Sequence, residues 1–287
     1  MICNKTIIIM VRRQLKRNSH KSWFVLGLIL GMTITFVRTY AYLRYTSGQV
    51  IQCMEPFVLL LNDYTYNQMV LLGYLLMITD SPFISGNSLF TIMRSNRREW
   101  FRAMLVYLLF LSFFYYGCIL IETLVMSAPI GYRENEWSSS FQVLVLYQPE
   151  EAFSVWGILV ENRNLVRFCT PYMVMIATYL LQALYAGILS IVSFVINLKG
   201  RWVLGNAATV IFHLINVLIL KSFMSLWIGK YSMFARSMLV QYKINADGIP
   251  GLPITLGIYL GIIWGGYVIG RIFVMKTDFQ IQKEGRG

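Results

Sequence analysis

The residues that could do chemistry inside this chain are few and far apart. Asp63 and Glu122 lie within or at the edge of long apolar runs, where a buried charge costs about 2.5–3.5 kcal/mol at the centre of a bilayer. Each is therefore a candidate for a pathway residue that contacts a proton, an ion or a substrate. For Asp63 the alternative is a position near the membrane surface, where its charge would be hydrated. Nothing in the sequence brings two carboxylates together, which argues against an intramembrane hydrolase.

Metal and thiol chemistry have little support. The four cysteines, Cys3, Cys53, Cys118 and Cys169, never stand at C-x-x-C spacing, so neither a zinc site nor a thioredoxin-like site is expected. Cys53 and Cys169 could form a disulfide if both lie outside the membrane, although free thiols are the favoured interpretation. His213 lies in an apolar run, where a single histidine more often bonds a neighbouring helix than binds a metal.

Several catalytic motifs are absent from the sequence. It contains no G-x-x-x-x-G-K-[ST] phosphate-binding loop, no H-E-x-x-H zinc motif and no G-x-S-x-G nucleophile turn. The chain is therefore not expected to be an enzyme, nor to hold a metal or a cofactor of its own.

The composition is typical of a membrane protein. Of the 287 residues 57% are hydrophobic and only 13% are charged, whereas about a quarter of a soluble domain is charged. The formal net charge of +12 lies mostly at the ends of apolar runs, which favours topology signals and anionic lipid headgroups over nucleic acid. No nucleic-acid partner is expected, because no basic and aromatic module of a known kind is present.

Apolar runs of membrane-spanning length predict an all-α polytopic membrane protein with six transmembrane helices in one domain, residues 1–287. The basic N-terminal segment 1–22 is predicted to be an amphipathic helix on the inner membrane surface, with a disordered tail as the alternative. The second span is the most polar, so that either one helix covers 57–79 or the helix starts near Tyr64. The predicted spans are about 23–42, 57–79, 101–126, 171–197, 204–227 and 253–275.

The distribution of basic residues predicts the orientation. On this scheme the N-terminal segment, the 79–102 turn, the 198–203 turn and the C-terminal end hold 16 of the 25 Lys and Arg residues, and such a bias marks the cytoplasmic side. Both termini are therefore expected in the cytoplasm, with 127–168 outside. Arg38, near the outer end of span one, is expected to extend its charge outward to water. Residues 228–252 are apolar for a loop, which makes re-entrant helices an option.

The turn between spans two and three has the features of a docking element. Pro82 suits the first turn of a short helix, and apolar residues follow on one face. A short cytoplasmic helix of this kind, held between two spans and next to a basic cluster, is predicted to bind another protein. The residues assigned to this coupling site are Pro82, Phe83, Leu89, Phe90, Ile92, Met93, Arg94, Arg97 and Arg98.

Three short motifs resemble those of the membrane subunits of type-2 ABC exporters, the ABC-2-like bacterial permeases. The sequence 78–83, Ile-Thr-Asp-Ser-Pro-Phe, is similar to the end of that family's second span. The sequence 94–100, Arg-Ser-Asn-Arg-Arg-Glu-Trp, resembles its Arg-x-x-Arg-x-x-Trp entry to span three. The sequence 275–279, Met-Lys-Thr-Asp-Phe, is similar to the close after its last span. The six-span layout and the N-terminal helix extend the resemblance over nearly the whole chain.

The resemblance implies a multi-pass half-transporter of the bacterial cytoplasmic membrane. A second permease subunit, identical or related, would complete the path for a peptide, a drug or a lipid-like substrate. A separate ABC ATPase subunit, which would bind ATP and Mg, would dock mainly on 82–93 and to a lesser extent on 199–202. The alternatives are an ATPase-independent secondary transporter that uses Asp63 or Glu122, and a membrane sensor or immunity protein.

Overall fold

A computed structural model describes residues 2–79, 96–158, 163–198, 202–223, 232–246 and 248–276. The described part is almost entirely helical, with two strands of two residues that pair in parallel, β1 (Ile51–Gln52) and β2 (Gly131–Tyr132). The helices are α1 (Ile2–Ser19), α2 (Ser22–Tyr45), α3 (Glu55–Asn62), α4 (Tyr64–Ile78), α5 (Arg97–Ser127), α6 (Ser139–Leu146), α7 (Pro149–Trp156), α8 (Arg163–Phe168), α9 (Pro171–Asn197), α10 (Trp202–Phe223), α11 (Met233–Arg236) and α12 (Gly251–Lys276).

Five helices in the described part, α2, α5, α9, α10 and α12, are long and apolar enough to cross a membrane. They lie where the sequence predicts spans one, three, four, five and six. Their unburied surfaces carry large apolar side chains, among them Val37, Phe110, Leu218 and Trp264, as expected where lipid is the solvent. The chain is therefore a helical membrane protein. The predicted coupling helix, 82–93, lies outside the described residues.

The predicted second span is two helices. The chain leaves helical geometry at Asp63, so α3 ends at Asn62 and α4 begins at Tyr64. At about 1.5 Å per residue, the 15 residues of α4 extend over roughly 22 Å, less than the roughly 30 Å of a bilayer core. The structure thus agrees with the second alternative, in which the helix starts near Tyr64. A short buried helix, α3, precedes it.

Close backbone packing joins α2 and α4 along much of their length. A side chain at Gly27 would collide with the backbone of Gly73 and Met77, and one at Gly31 would collide with the hydroxyl group of Tyr115. Small residues allow this approach, which is how helices gain van der Waals contact in lipid. The two helices consequently form one tightly packed antiparallel pair.

Residues 127–158 and 163–168 fold over the end of the bundle where α2 ends. We call this folded region, together with β1, the cap. Its core contains Trp137, which stacks on Phe141 with a ring separation of 4.6 Å and donates a hydrogen bond to the carbonyl of Cys169 at 2.6 Å. The apolar residues Phe141–Leu146 and Phe153–Trp156 lie in α6 and α7 of this cap, two helices of eight residues each that are too short to cross a membrane.

Residues 232–246 enter the bundle from the cap side and do not cross it. The long helices α9, α10 and α12 all bind this segment. Asn216 of α10 accepts a bond from the Met233 amide at 2.7 Å, and Tyr259 of α12 donates to the Met233 carbonyl at 2.7 Å. Gln182 of α9 donates to the Ser237 carbonyl at 2.9 Å. Gln182 lies eleven residues into α9, or roughly 16 Å from its cap-side end. The segment therefore reaches well into the bundle, as a re-entrant element does.

The N-terminal helix packs against the opposite end of the bundle. Met10, Gln14 and Asn18 are buried on one side of α1, and the amide of Asn18 donates a hydrogen bond to the Tyr107 hydroxyl group on α5 at 2.7 Å. Ile8 and Ile9 on the same helix are exposed. The face that contacts the protein is thus partly polar.

Candidate functional site at the broken helix

Asp63 lies at the break between α3 and α4 and is buried, with 4% of its surface exposed. Its Oδ1 atom accepts hydrogen bonds from the amides of Thr65 and Tyr66 at 2.9 and 3.2 Å, which caps the first turn of α4. Its Oδ2 atom pairs with the Nη2 atom of Arg38 at 2.8 Å. The carboxylate thus caps α4 and also binds α2.

Arg38 binds three elements at this point. Besides the bond to Asp63, its Nη1 atom donates to the carbonyl of Gly157, just after α7, at 2.6 Å. Its guanidinium lies over the ring of Tyr66, 4.3 Å from the centroid. The expectation that Arg38 extends outward to water is therefore wrong, because its side chain is only 2% exposed. The buried carboxylate of Asp63 and the Gly157 carbonyl compensate the guanidinium in place of water.

Polar side chains also satisfy the backbone around the break. Asn62 donates to the hydroxyl group of Thr178 on α9 at 3.1 Å and accepts from the Leu239 amide at 2.6 Å. Gln182 donates to the Leu61 carbonyl at 3.2 Å, besides its bond to Ser237. Irregular backbone within a membrane bundle requires such partners. The α3–α4 break and the 232–246 segment therefore share one buried polar junction.

A second buried carboxylate, Glu55, joins the cap to α2. It accepts bonds from the Tyr42 hydroxyl group at 2.7 Å, the Gln52 amide at 3.2 Å, and the amide and hydroxyl group of Ser138 at 2.7 and 2.9 Å. Burial raises the pKa of Glu55 to about 7, although these donated bonds favour the ionised form. Glu55 precedes the predicted second span, and the sequence analysis did not select it.

At the opposite end of the bundle, one asparagine on α10 binds both the end of α4 and α9. The side-chain amide of Asn206 on α10 donates to the carbonyl of Thr79, and its oxygen accepts from the Ser193 hydroxyl group on α9 at 2.7 Å. Thr79 is the last described residue before 80–95, and α10 begins just after the turn that contains 199–201. The end of α4 therefore lies beside the first turns of α10.

The other predicted site residues are spread over the molecule. Pro82, Phe83, Leu89, Phe90, Ile92, Met93 and Arg94 lie outside the described residues. Arg97 and Arg98 lie in the first turn of α5, where Asn96 caps the helix through the Arg98 amide at 3.4 Å. Glu122 is half-buried on α5, and in the part of the chain that the structure describes no hydrogen bond joins it to Asp63. The structure therefore does not unite the two candidate pathway acids.

The remaining reactive side chains play local roles. His213 on α10 bonds the Tyr185 hydroxyl group on α9 at 3.1 Å, which is the inter-helix role expected for a single histidine. Cys53, Cys118 and Cys169 are free thiols.

The sequence analysis missed Arg38, Glu55, Asn62, Gln182 and Asn206. One signal was available for Arg38: a buried Asp63 requires a cation, and Arg38 lies on the preceding span near the same end. Comparisons of this chain with protein-family models, with curated proteins and with solved structures each found no significant match.

Proposed function

We propose that this chain is the membrane subunit of an ATP-driven exporter of the bacterial cytoplasmic membrane. The observation that carries the proposal is the path of α4, which runs from the Asn206–Thr79 junction at one end to the Asp63–Arg38 pair at the other. One rigid helix thus connects the predicted ATPase contact to the polar break. An ATPase that displaces the 80–95 segment would move this helix and, through it, the break.

The glycine contacts between α2 and α4 transmit such a movement. Because Gly27, Gly31 and Gly73 allow direct backbone contact, the pair moves as one body and not as two sliding helices. Arg38 then carries the displacement to the cap through the Gly157 carbonyl. In this mechanism ATP binding by the partner favours one of two packings of the helices, and the chain itself performs no covalent chemistry.

A second permease subunit would complete the transport path, and the partner ATPase would hold ATP and Mg. Substrate would pass near the broken helix, since discontinuous helices inside a bundle are the usual sites of transport. The substrate class, a peptide, a drug or a lipid-like molecule, is the one that the resemblance to the exporter family implies. In this orientation both termini are cytoplasmic and the cap lies outside.

The Arg38 pair disfavours Asp63 as the proton site of a secondary transporter and leaves Glu122 as the other acid for that alternative. A proton carrier must take up and release a proton in each cycle. The charge of Asp63 is already compensated by a guanidinium, which stays protonated in proteins, so Asp63 has little tendency to cycle. A dependence of transport on a coupling ion, without any ATPase, would nevertheless favour that alternative.

The test is co-purification of the chain with the ABC ATPase produced beside it, followed by ATPase measurement in liposomes. Phe90→Asp puts a charge into the predicted apolar contact and is expected to release the ATPase, because unpaired charges in a buried contact are strongly unfavourable. Asn87→Asp is the matched control: it adds the same charge to a polar position of the same segment and should retain the partner.

Two outcomes would contradict the proposal in different ways. If the unmodified chain retains no ATPase, the exporter function is wrong. If Phe90→Asp retains the ATPase at full coupling, the docking site lies elsewhere, and 199–202 is the next segment to change.

A further inference from the structure

The cap helix α7 has an unusual distribution of side chains for a part of a protein in water. Ala152 is buried and Trp156 is half-buried, and the ring of Trp156 packs edge-to-face with the ring of Tyr45 on α2, with 6.3 Å between the ring centroids. On either side of this contact, Phe153 and Val155 are 57% and 60% exposed. Two large apolar side chains thus flank the line along which α7 contacts the bundle.

Glu150 and Ser154 lie on the side of α7 opposite the contact line, and Glu151, four residues before Val155, lies beside that apolar flank. Glu150 and Glu151 occupy the first turn, where the helix dipole favours acidic side chains, and Ser154 is exposed. The helix is therefore amphipathic, with a contact line, two apolar flanks and a polar back.

The bond from Arg38 fixes how deep α7 lies relative to the membrane-spanning helices. The Gly157 carbonyl, one residue after α7, accepts from Arg38 at 2.6 Å. Arg38 lies seven residues before the end of α2 at Tyr45, or roughly 10 Å from that end. Its neighbour Val37 belongs to a membrane-spanning helix and is 53% exposed, so this part of α2 lies at the depth of the apolar core of the bilayer. The C-terminal end of α7 therefore lies within the length of the Arg38 side chain from the depth of Arg38 and Val37.

We infer that α7 is an interfacial helix, which inserts Phe153 and Val155 among the phospholipid acyl chains of the cap-side leaflet. Interfacial helices lie with their apolar side roughly 5–10 Å into the headgroup and acyl boundary, which matches the depth given by Arg38. The two glutamates keep the first turn of α7 at the polar surface. The cap is thereby held to the bilayer as well as to the bundle, whatever the protein transports.

Spin labels on single cysteines test this placement in liposomes of neutral phospholipid. Cys3, Cys53, Cys118 and Cys169 are first replaced by alanine, and Phe153→Cys and Val155→Cys are then labelled one at a time. Val37→Cys serves as the lipid-facing reference and Glu150→Cys as the water-facing one. Collision of each label with oxygen, which concentrates in the bilayer, is compared with collision with a water-soluble nickel chelate.

The expected result is a ratio of oxygen to nickel-chelate collision at 153 and 155 that equals the ratio at 37 and is several-fold above that at 150. Three results would overturn the inference. Nickel accessibility at both positions equal to that at 150 would place α7 in water. Lipid exposure at only one position would exclude a helix that inserts both flanks. Protection from both reagents would show that protein, and not lipid, covers the face. Each variant is used only if it matches the parent in gel filtration and thermal midpoint.

Discussion

Asp63→Asn is expected to destabilise the protein by far more than a change of one oxygen to nitrogen suggests. Asparagine still caps α4, so the bonds to the amides of Thr65 and Tyr66 can persist. What disappears is the negative charge that faces Arg38, whose side chain is 2% exposed and has no access to water. Removing one partner of a buried ion pair costs about 3–5 kcal/mol.

A double-mutant cycle separates the pair from its surroundings. Arg38→Met should destabilise the protein by a similar amount, because it leaves Asp63 buried and unpaired. The double variant, Arg38→Met with Asp63→Asn, has no charge left to compensate and should be clearly more stable than the sum of the single effects predicts. Asp63→Ala should lose about 1 kcal/mol more than Asp63→Asn, since alanine cannot cap α4.

The measurement is unfolding of the purified protein in mixed micelles, followed by circular dichroism as the denaturing detergent is increased. Arg44→Met is the control, because Arg44 lies on the same helix and is exposed, so its loss should change little. Additive effects of Arg38→Met and Asp63→Asn would refute the reasoning, since they would mean that the two charges do not stabilise each other.

Three further outcomes follow from the packing. The pKa of Glu55 is raised in the folded protein to about 7. The stability that protonated Glu55 contributes is therefore fully present below its unfolded pKa of about 4.3 and is lost as the pH rises through about 7. The total change in the free energy of unfolding is at most about 4 kcal/mol. The thermal midpoint should therefore be higher at about pH 6 than at about pH 8, and Glu55→Gln should remove that difference; equal midpoints in the unmodified protein would contradict it. Gly27→Ala should lower the thermal midpoint, because overpacking α2 against α4 costs about 1–3 kcal/mol. Gly257→Ala should not lower it, because the space around Gly257 is open. Equal effects of the two substitutions would refute the close approach of α2 and α4. Asn206→Leu should leave the ATPase bound but lower substrate-stimulated hydrolysis, and unchanged stimulation would show that the Thr79 junction does not transmit the movement.

The long helices were predictable because each depends on one property of its own segment. A run of more than twenty apolar residues has few alternatives to a membrane-spanning helix. The α9 helix, Pro171–Asn197, occupies the residues predicted for span four, since Pro171 starts it and apolar residues fill it. Length and hydropathy suffice where no polar residue interrupts the run.

The break at Asp63 was not predictable in the same way, because it depends on distant partners. The polar run from Asn62 to Gln68 fits both a continuous helix with a polar face and a helix that starts near Tyr64. The choice is made by Arg38, Thr178 and Leu239, which bind Asp63 or Asn62 from other elements. No local pattern encodes these contacts, and the outward prediction for Arg38 failed for the same reason.

The Arg38–Asp63 pair is better explained by what it connects than by what it stabilises. Well-packed apolar residues at both positions would avoid the desolvation of two charges and would often be as stable or more so. Apolar residues could not, however, cap α4, bind the Gly157 carbonyl and align α2 with a helix break at once, because these tasks require directed hydrogen bonds. A paired charge can hold such a junction in one arrangement and release it when a neighbour moves. An element of this kind is what a helix pair needs if movement at Thr79 is to reach the cap.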